Sequence, residues 1–413
     1  MLEKEKYYGE VWLPDNEEVK FFCVLKRKKG KIFLTSNIKK DLREYKLDLI
    51  FGVFTGLGYL TFINNKVVFS QTGMIVAKIY NPEYTFVGNH FVNTNDLSLK
   101  EFTIENNEII KWIWYNLFNH EYENNTVSHD GHINKDVRLD KLEIVFSLNT
   151  GLNTNMLRDK VNLENYGYVK FESESRLSLL DAVELYNRFQ KFLFFFHGSS
   201  SQFTEFKFKC LNCDKWIQLY YNDKLSREGQ SDFVNLNFKD LESEIENLFI
   251  EWFTNDEMLF CIDVILENSL SVKISHSRRF INSVFSFEAM VERFFPSKLD
   301  NPTLKKYLNF YKVYFIEIAN IEESHFNNFL NKIIRSRDYY VHSKKSQSQV
   351  FSEFELLYVS FLLDYIVAIE LLERMNISKE NIDKIKMRAK NKYINGQTIN
   401  KLLNQNVFLQ PKK

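Results

Sequence analysis

The stretch FSEFELLYVSFLLDYIVAIELLERM, residues 351–375, decides what the second half of this chain is. Phe354, Leu357, Phe361, Tyr365, Ile369 and Leu372 recur at three- and four-residue spacing, the period of one face of a long helix. Three further amphipathic segments precede it. In residues 282–295, Phe285 and Ala289 share one helical spacing and Phe287, Met290 and Phe294 another, and Pro296 cannot continue the helix without losing a backbone donor. Residues 303–316 place Leu304, Leu308, Tyr311 and Phe315 on one face. Residues 324–334 carry Phe326, Phe329, Leu330, Ile333 and Ile334. Amphipathic helices joined by short connections imply an antiparallel helical bundle.

Between the third and fourth of these helices lies Ile334-Arg335-Ser336-Arg337-Asp338-Tyr339-Tyr340-Val341-His342-Ser343-Lys344-Lys345. Arg337 and His342 have four residues between them and Arg335 and His342 have six; Arg337 is favoured because the polar Asp338 follows it. Histidine exchanges protons near neutral pH, and arginine offers a planar donor fork to a phosphate that gains charge. Residues five apart on a continuous helix stand about 140° apart around its axis. Either the segment is partly unwound, or the two side chains meet across a symmetric interface.

The first half reads differently. Residues 19–26 and 31–36 flank Arg27-Lys28-Lys29-Gly30, residues 48–54 and 59–63 flank Gly56-Leu57-Gly58, and Asn64-Asn65 separates the latter from residues 66–70. These are short strands with turn punctuation, an antiparallel meander. Strands are expected again at 142–148 and 167–172. Ser178-Leu179-Leu180-Asp181 resembles a capping box before a helix through Phe196. Residues 241–253 put Ile245, Leu248, Phe249 and Trp252 on one helical face, and helices dominate from there. The expected fold class is α+β: a β-rich region over residues 1–265 with inserted helices, then an all-α bundle over 266–413.

Residues 120–140, with His120, His129, Asp130 and His132, are polar and expected to form an exposed loop; they show no fixed metal spacing. Cys210-Leu211-Asn212-Cys213 has two readings. It is a hairpin turn between strands 203–209 and 215–221, or half of a structural zinc clamp; the hairpin is favoured because no second ligand pair stands at zinc-knuckle spacing. No other cofactor is expected.

At 413 residues the chain can hold two or three domains, and with 45% hydrophobic and 26% charged residues it is globular in composition. The 39 Phe read as core material. Its 54 basic and 54 acidic side chains cancel, so no global field draws it onto a polyanion, and any such contact relies on local patches. The densest apolar run, residues 192–196, is too short to span a bilayer, and Met1-Leu2-Glu3-Lys4-Glu5-Lys6 is charged where a signal peptide needs an apolar core. Four cysteines give no disulfide framework. A cytoplasmic chain that does not enter membranes is expected.

Three features in order, Phe285-Ser286-Phe287-Glu288-Ala289-Met290, then Arg337 to His342, then the long apolar helix, resemble the HEPN domain of ApeA-like anti-phage proteins. Gly9-Glu10-Val11-Trp12-Leu13-Pro14 followed by hairpins resembles the opening of their N-terminal domain. The resemblance implies metal-independent endoribonuclease activity, in which the ribose 2'-OH attacks the adjacent phosphate to leave a 2',3'-cyclic phosphate. It further implies Arg337 and His342 as catalytic residues with Asp338, which stands where members often have Asn. Glu288 and Arg335 would support them, while Lys332, Lys344 and Lys345 would follow the RNA backbone. The implied partners are RNA, with tRNA a candidate because its cleavage stops translation, a phage-derived trigger, and a second copy in a homodimer or higher even oligomer. The alternative is a non-catalytic HEPN module that binds RNA, nucleotide or a partner protein through the same cleft.

Overall fold

The structure, a computed structural model, describes residues 6–28, 31–38, 46–71, 77–91, 97–113, 118–121, 123–124, 126–129, 132–158, 160–199, 205–211, 213–221, 234–270, 274–295, 303–319, 321–342 and 350–393. The chain forms two compact units: Met1–Gln190 with Ser200–Arg227, and Lys191–Ser199 with Glu228–Lys413.

The first unit is built on antiparallel strands. β1 (Lys6–Leu13), β2 (Asn16–Lys28), β3 (Lys31–Ser36), β4 (Lys46–Phe54), β5 (Gly58–Gln71) and β6 (Ala77–Asn81) pair in the order β5-β4-β1-β2-β3-β6. The last strand pairs back onto β5, so the six close into a barrel. Closure leaves no free edge in this part of the sheet. Its interior is filled by Tyr7, Val11, Leu25, Leu34, Ile50 and Phe62, the inward members of period-two strands. Close packing leaves no room for a side chain at Gly9. A Cβ on Gly9 of β1 would lie 2.2 Å from the Val53 carbonyl oxygen and 2.7 Å from the Phe54 ring. Gly9→Ala is therefore expected to cost about 1–3 kcal/mol, as overpacking does, and to lower the urea midpoint of the full chain.

The expected turn at Asn64-Asn65 is not there. β5 runs through it, because Asn64 takes a left-handed conformation (φ 54°) and the buried Asn65 amide donates to the carbonyls of Leu47 (3.1 Å) and Phe62 (2.9 Å). Before this kink β5 pairs with β7 (Tyr84–Val87), and after it with β6. The sheet continues from β7 through β15 (Cys213–Tyr221), β14 (Glu205–Cys210), β8 (Ser98–Glu105), β13 (Lys160–Ser178) and β12 (Ile144–Leu157) to β11 (Asn134–Leu139). Short β9 (Phe118–Glu121) and β10 (Thr126–His129) make a separate hairpin, and helix α1 (Asn107–Ile113) buries Ile109 and Trp112. The polar stretch 120–140 thus holds strands as well as loop; Asp130 lies outside the described residues. The capping box at Ser178 forms: Ser178 Oγ accepts from Asp181 N–H at 3.1 Å, and Asp181 Oδ2 accepts from Ser178 N–H at 3.2 Å. It opens helix α2 (Leu179–His197).

The second unit is helical: α3 (Phe238–Leu241), α4 (Ile245–Thr254), α5 (Asp256–Leu270), α6 (His276–Phe294), α7 (Leu304–Phe310), α8 (Lys312–Ala319), α9 (Glu323–His342), α10 (Glu353–Arg374) and α11 (Lys379–Arg388). Phe192 and Phe195, within Lys191–Ser199, pack their rings on Trp252 at 5.4 and 5.6 Å. Ser275 caps α6 by accepting from Arg278 N–H, and Ser352 and Glu355 form a capping box at α10. The segment read as one helix over 303–316 is two, broken at Tyr311. Nor is α10 amphipathic throughout. Phe354 at its start is 56% exposed, whereas residues 362–369 are buried on every side, so α10 is the centre of the bundle. In and after α11 the basic residues make specific contacts: Lys384 pairs with Asp240 at 3.2 Å, and Arg388 donates to the Val234 carbonyl at 2.9 Å.

Candidate functional site

α9 extends about two turns past residue 334, the expected end of the third helix. Nothing in Arg335 to Val341 breaks a helix, and Ser336, fully buried, accepts the Phe351 N–H on its Oγ at 2.9 Å. The Arg337-to-His342 motif therefore sits on the last turns of a helix and not in the connection after it. The backbone positions of Arg337 and His342 are separated by about 140° and about 7.5 Å along the axis.

Arg337 reaches across to α6. Its Nη2 lies 3.6 Å from Glu288 Oε1, and its Nη1 donates to Asp338 Oδ1 at 3.4 Å. Both contacts are at the long end, so the guanidinium is held loosely between two carboxylates. Burial pushes the Glu288 pKa up and Arg337 pulls it back, while Glu292 and Asp338 add to the rise. The site thus balances one guanidinium against several acidic groups. Tyr307 of α7 feels the same acidic groups: burial, then the charges of Glu292 and Glu288, raise its hydroxyl pKa. Its spacing with Leu304 and Leu308 shows only a core position, which is why sequence reading passes it over.

Of the supporting residues, Glu288 is brought to Arg337. Arg335 is exposed, with no ion-pair partner among the described residues. Lys332 departs from expectation. It is 5% exposed, its Nζ stands 3.5 Å from Glu355 Oε2 and 4.9 Å from the Phe351 ring centre, and so it does not present its charge to a backbone of RNA. The reason is spacing, since Lys332 lies one turn before the buried Ser336 and shares its face. Lys344 and Lys345 lie outside the described residues. Tyr339 and Tyr340 meet edge to face at 4.9 Å.

Cys210 and Cys213 are register partners closing the β14–β15 hairpin. No group of three or more His, Cys, Asp or Glu placed to hold a metal occurs among the described residues.

A family model described as ApeA N-terminal domain 1 matches residues 6–252, and one described as Apea-like HEPN matches residues 265–381. The chain belongs to the ApeA family. The ApeA N-terminal match takes in the barrel and the rest of the strands, and the Apea-like HEPN match contains Glu288, Arg337, Asp338 and His342. Comparison with curated proteins and with solved structures returns no match. No helix among the described residues of this ApeA-family chain is long and apolar enough to cross a membrane.

Proposed function

We propose that this chain is a cytoplasmic anti-phage effector whose residues 266–413 act as a metal-independent HEPN endoribonuclease, with residues 1–265 as the sensing or regulatory region. The observation that carries this reading is Arg337, held by Glu288 and Asp338 inside an Arg-x4-His motif of the HEPN match. In this reading His342 exchanges a proton with the 2'-OH or the leaving 5'-oxygen, a contribution of roughly 10²- to 10⁴-fold. Arg337 stabilises the charge growing on the phosphate, and Asp338 orients the motif. Lys344 and Lys345 track the RNA, with tRNA as the target. An infected cell would then lose translation and stop growing.

An unbroken α9 removes one of the two ways to bring Arg337 and His342 together, and so supports a site shared between two copies. A base and an acid on opposite sides of the phosphate then come from two chains. Mixing His342→Ala chains with wild-type chains is expected to lower cleavage by more than the variant's share of the chains, because each mixed dimer lacks one of its two motif histidines; an active, strictly monomeric protein would exclude the shared site. The test of the reaction is RNA cleavage in excess chelator, with fragment ends sequenced and assayed for cyclic phosphate, from cells with and without phage. Cleavage by His342→Ala equal to wild type would defeat the mechanism. One observation favours a binding module instead: the Arg337 fork already faces two carboxylates. That reading gains if RNA is retained by the wild type and never cut.

A further inference from the structure

Phe329, Lys332 and Ser336 lie on one side of α9 at spacings of three and four, and all three meet the start of α10. The Phe329 and Phe351 rings stand 5.9 Å apart, Lys332 Nζ lies over the Phe351 ring and 3.5 Å from Glu355, and Ser336 Oγ accepts the Phe351 N–H. Glu355 also accepts the Ser352 N–H at 2.6 Å, so the carboxylate that receives Lys332 is the one that caps α10. Arg337 is the next residue after Ser336.

A buried ion pair is a weak source of stability, because two charges give up their water and their attraction only partly offsets that loss. Both partners show the strain. Burial brings the Lys332 ammonium pKa down to about 8 and pushes the Glu355 carboxyl up, each against the pull of the other. An apolar pair would pack here at lower cost, but it would also tolerate sliding of one helix along the other. The polar contacts do not: the Ser336 hydrogen bond is directional, and the 3.5 Å Lys332–Glu355 charge pair, once buried, is costly to separate, so both hold at one register.

We propose that Lys332, Ser336 and Glu355 are positioning residues that fix the last two turns of α9 on the start of α10, and through them the place where Arg337 meets Glu288. The catalytic consequence rests on the nuclease reading; the register clamp does not. Lys332→Met with Glu355→Gln in the full-length chain removes the charges, while Gln keeps an oxygen to accept the Ser352 N–H. The double variant is expected to melt no earlier than the wild type and to bind RNA with unchanged KM. Its kcat should fall about 10²-fold, the effect of a displacement of roughly 1 Å at a reacting group. Amide exchange over residues 336–342, read by mass spectrometry, should quicken about tenfold as that end of α9 opens locally. Ser336→Ala should move both readouts the same way by less. Wild-type kcat in the double variant would overturn the positioning role even if exchange quickens. If the wild type cuts no RNA, the nuclease reading fails by itself, and unchanged exchange over 336–342 would still overturn the clamp.

Discussion

Arg337→Ala is expected to lower RNA cleavage about 10²- to 10³-fold, the loss seen when one preorganised donor to a developing oxyanion is removed, with little change in folding. The side chain is about a third exposed and its contacts with Glu288 and Asp338 are long, so the ion pairs themselves are worth no more than about 1 kcal/mol. Activity and stability should therefore separate in this variant. Arg337→Lys should recover only part of the lost rate, because an ammonium keeps the charge but not the planar fork. Glu288→Gln gives a complementary readout: it frees the guanidinium from one of its carboxylates, and should change kcat while leaving RNA affinity nearly intact. Cleavage in chelator by Arg337→Ala at the wild-type rate would remove Arg337 from the reaction. A parallel loss of melting temperature and activity would instead make it a structural residue.

How much of this was legible beforehand depended on which interactions set each feature. Period-two and helical spacings depend on burial of neighbouring side chains, and they place β2 to β5, α4, α6 and α10 from residues such as Trp252 and Phe287, but not β6, the strand that closes the barrel. Features fixed by single polar contacts were not visible. At Asn64 the strand kinks and does not turn, with the Asn65 amide donating to one carbonyl of its own strand, Phe62, and one of the neighbouring β4, Leu47, and the last two turns of α9 are tied down where Ser336 accepts the Phe351 N–H. Helix α5 carries Met258, Ile262, Ile265 and Leu266 on its buried face, and of its polar residues Asn268 interrupts that face: it is wholly buried, which its residue type does not announce. Lys332 shows the same limit at the site. Composition counts it among exposed cations, while its position one turn from Ser336 buries it.

The buried Asn268 leads to Asp364, for which a strong pH dependence is expected. Asp364 sits in α10, 3% exposed, and its Oδ2 accepts from the Asn268 amide at 3.3 Å; the same amide donates to Ser283 Oγ at 3.0 Å and to the Arg279 carbonyl at 3.3 Å. Desolvation pushes the carboxyl up to about 7 from 3.8, against the hydrogen bonds of Ser283 and Asn268 and the charge of Arg279, and the second carboxylate oxygen is buried without a hydrogen bond. With the native pKa above the unfolded one, the native state holds the extra proton between the two values. Stability from this group is therefore full below about pH 4 and is lost as pH rises towards about 7, by up to roughly 4 kcal/mol at 1.36 kcal/mol per unit. Asp364→Asn removes the titration and still offers an oxygen to Asn268. In urea unfolding followed by far-UV circular dichroism, the variant should match the wild type near pH 4 and exceed it near pH 8, less whatever Arg279 loses when its counter-charge goes. Parallel pH profiles for the two proteins would show that Asp364 ionises as an ordinary carboxylate and that water or motion reaches the centre of the bundle.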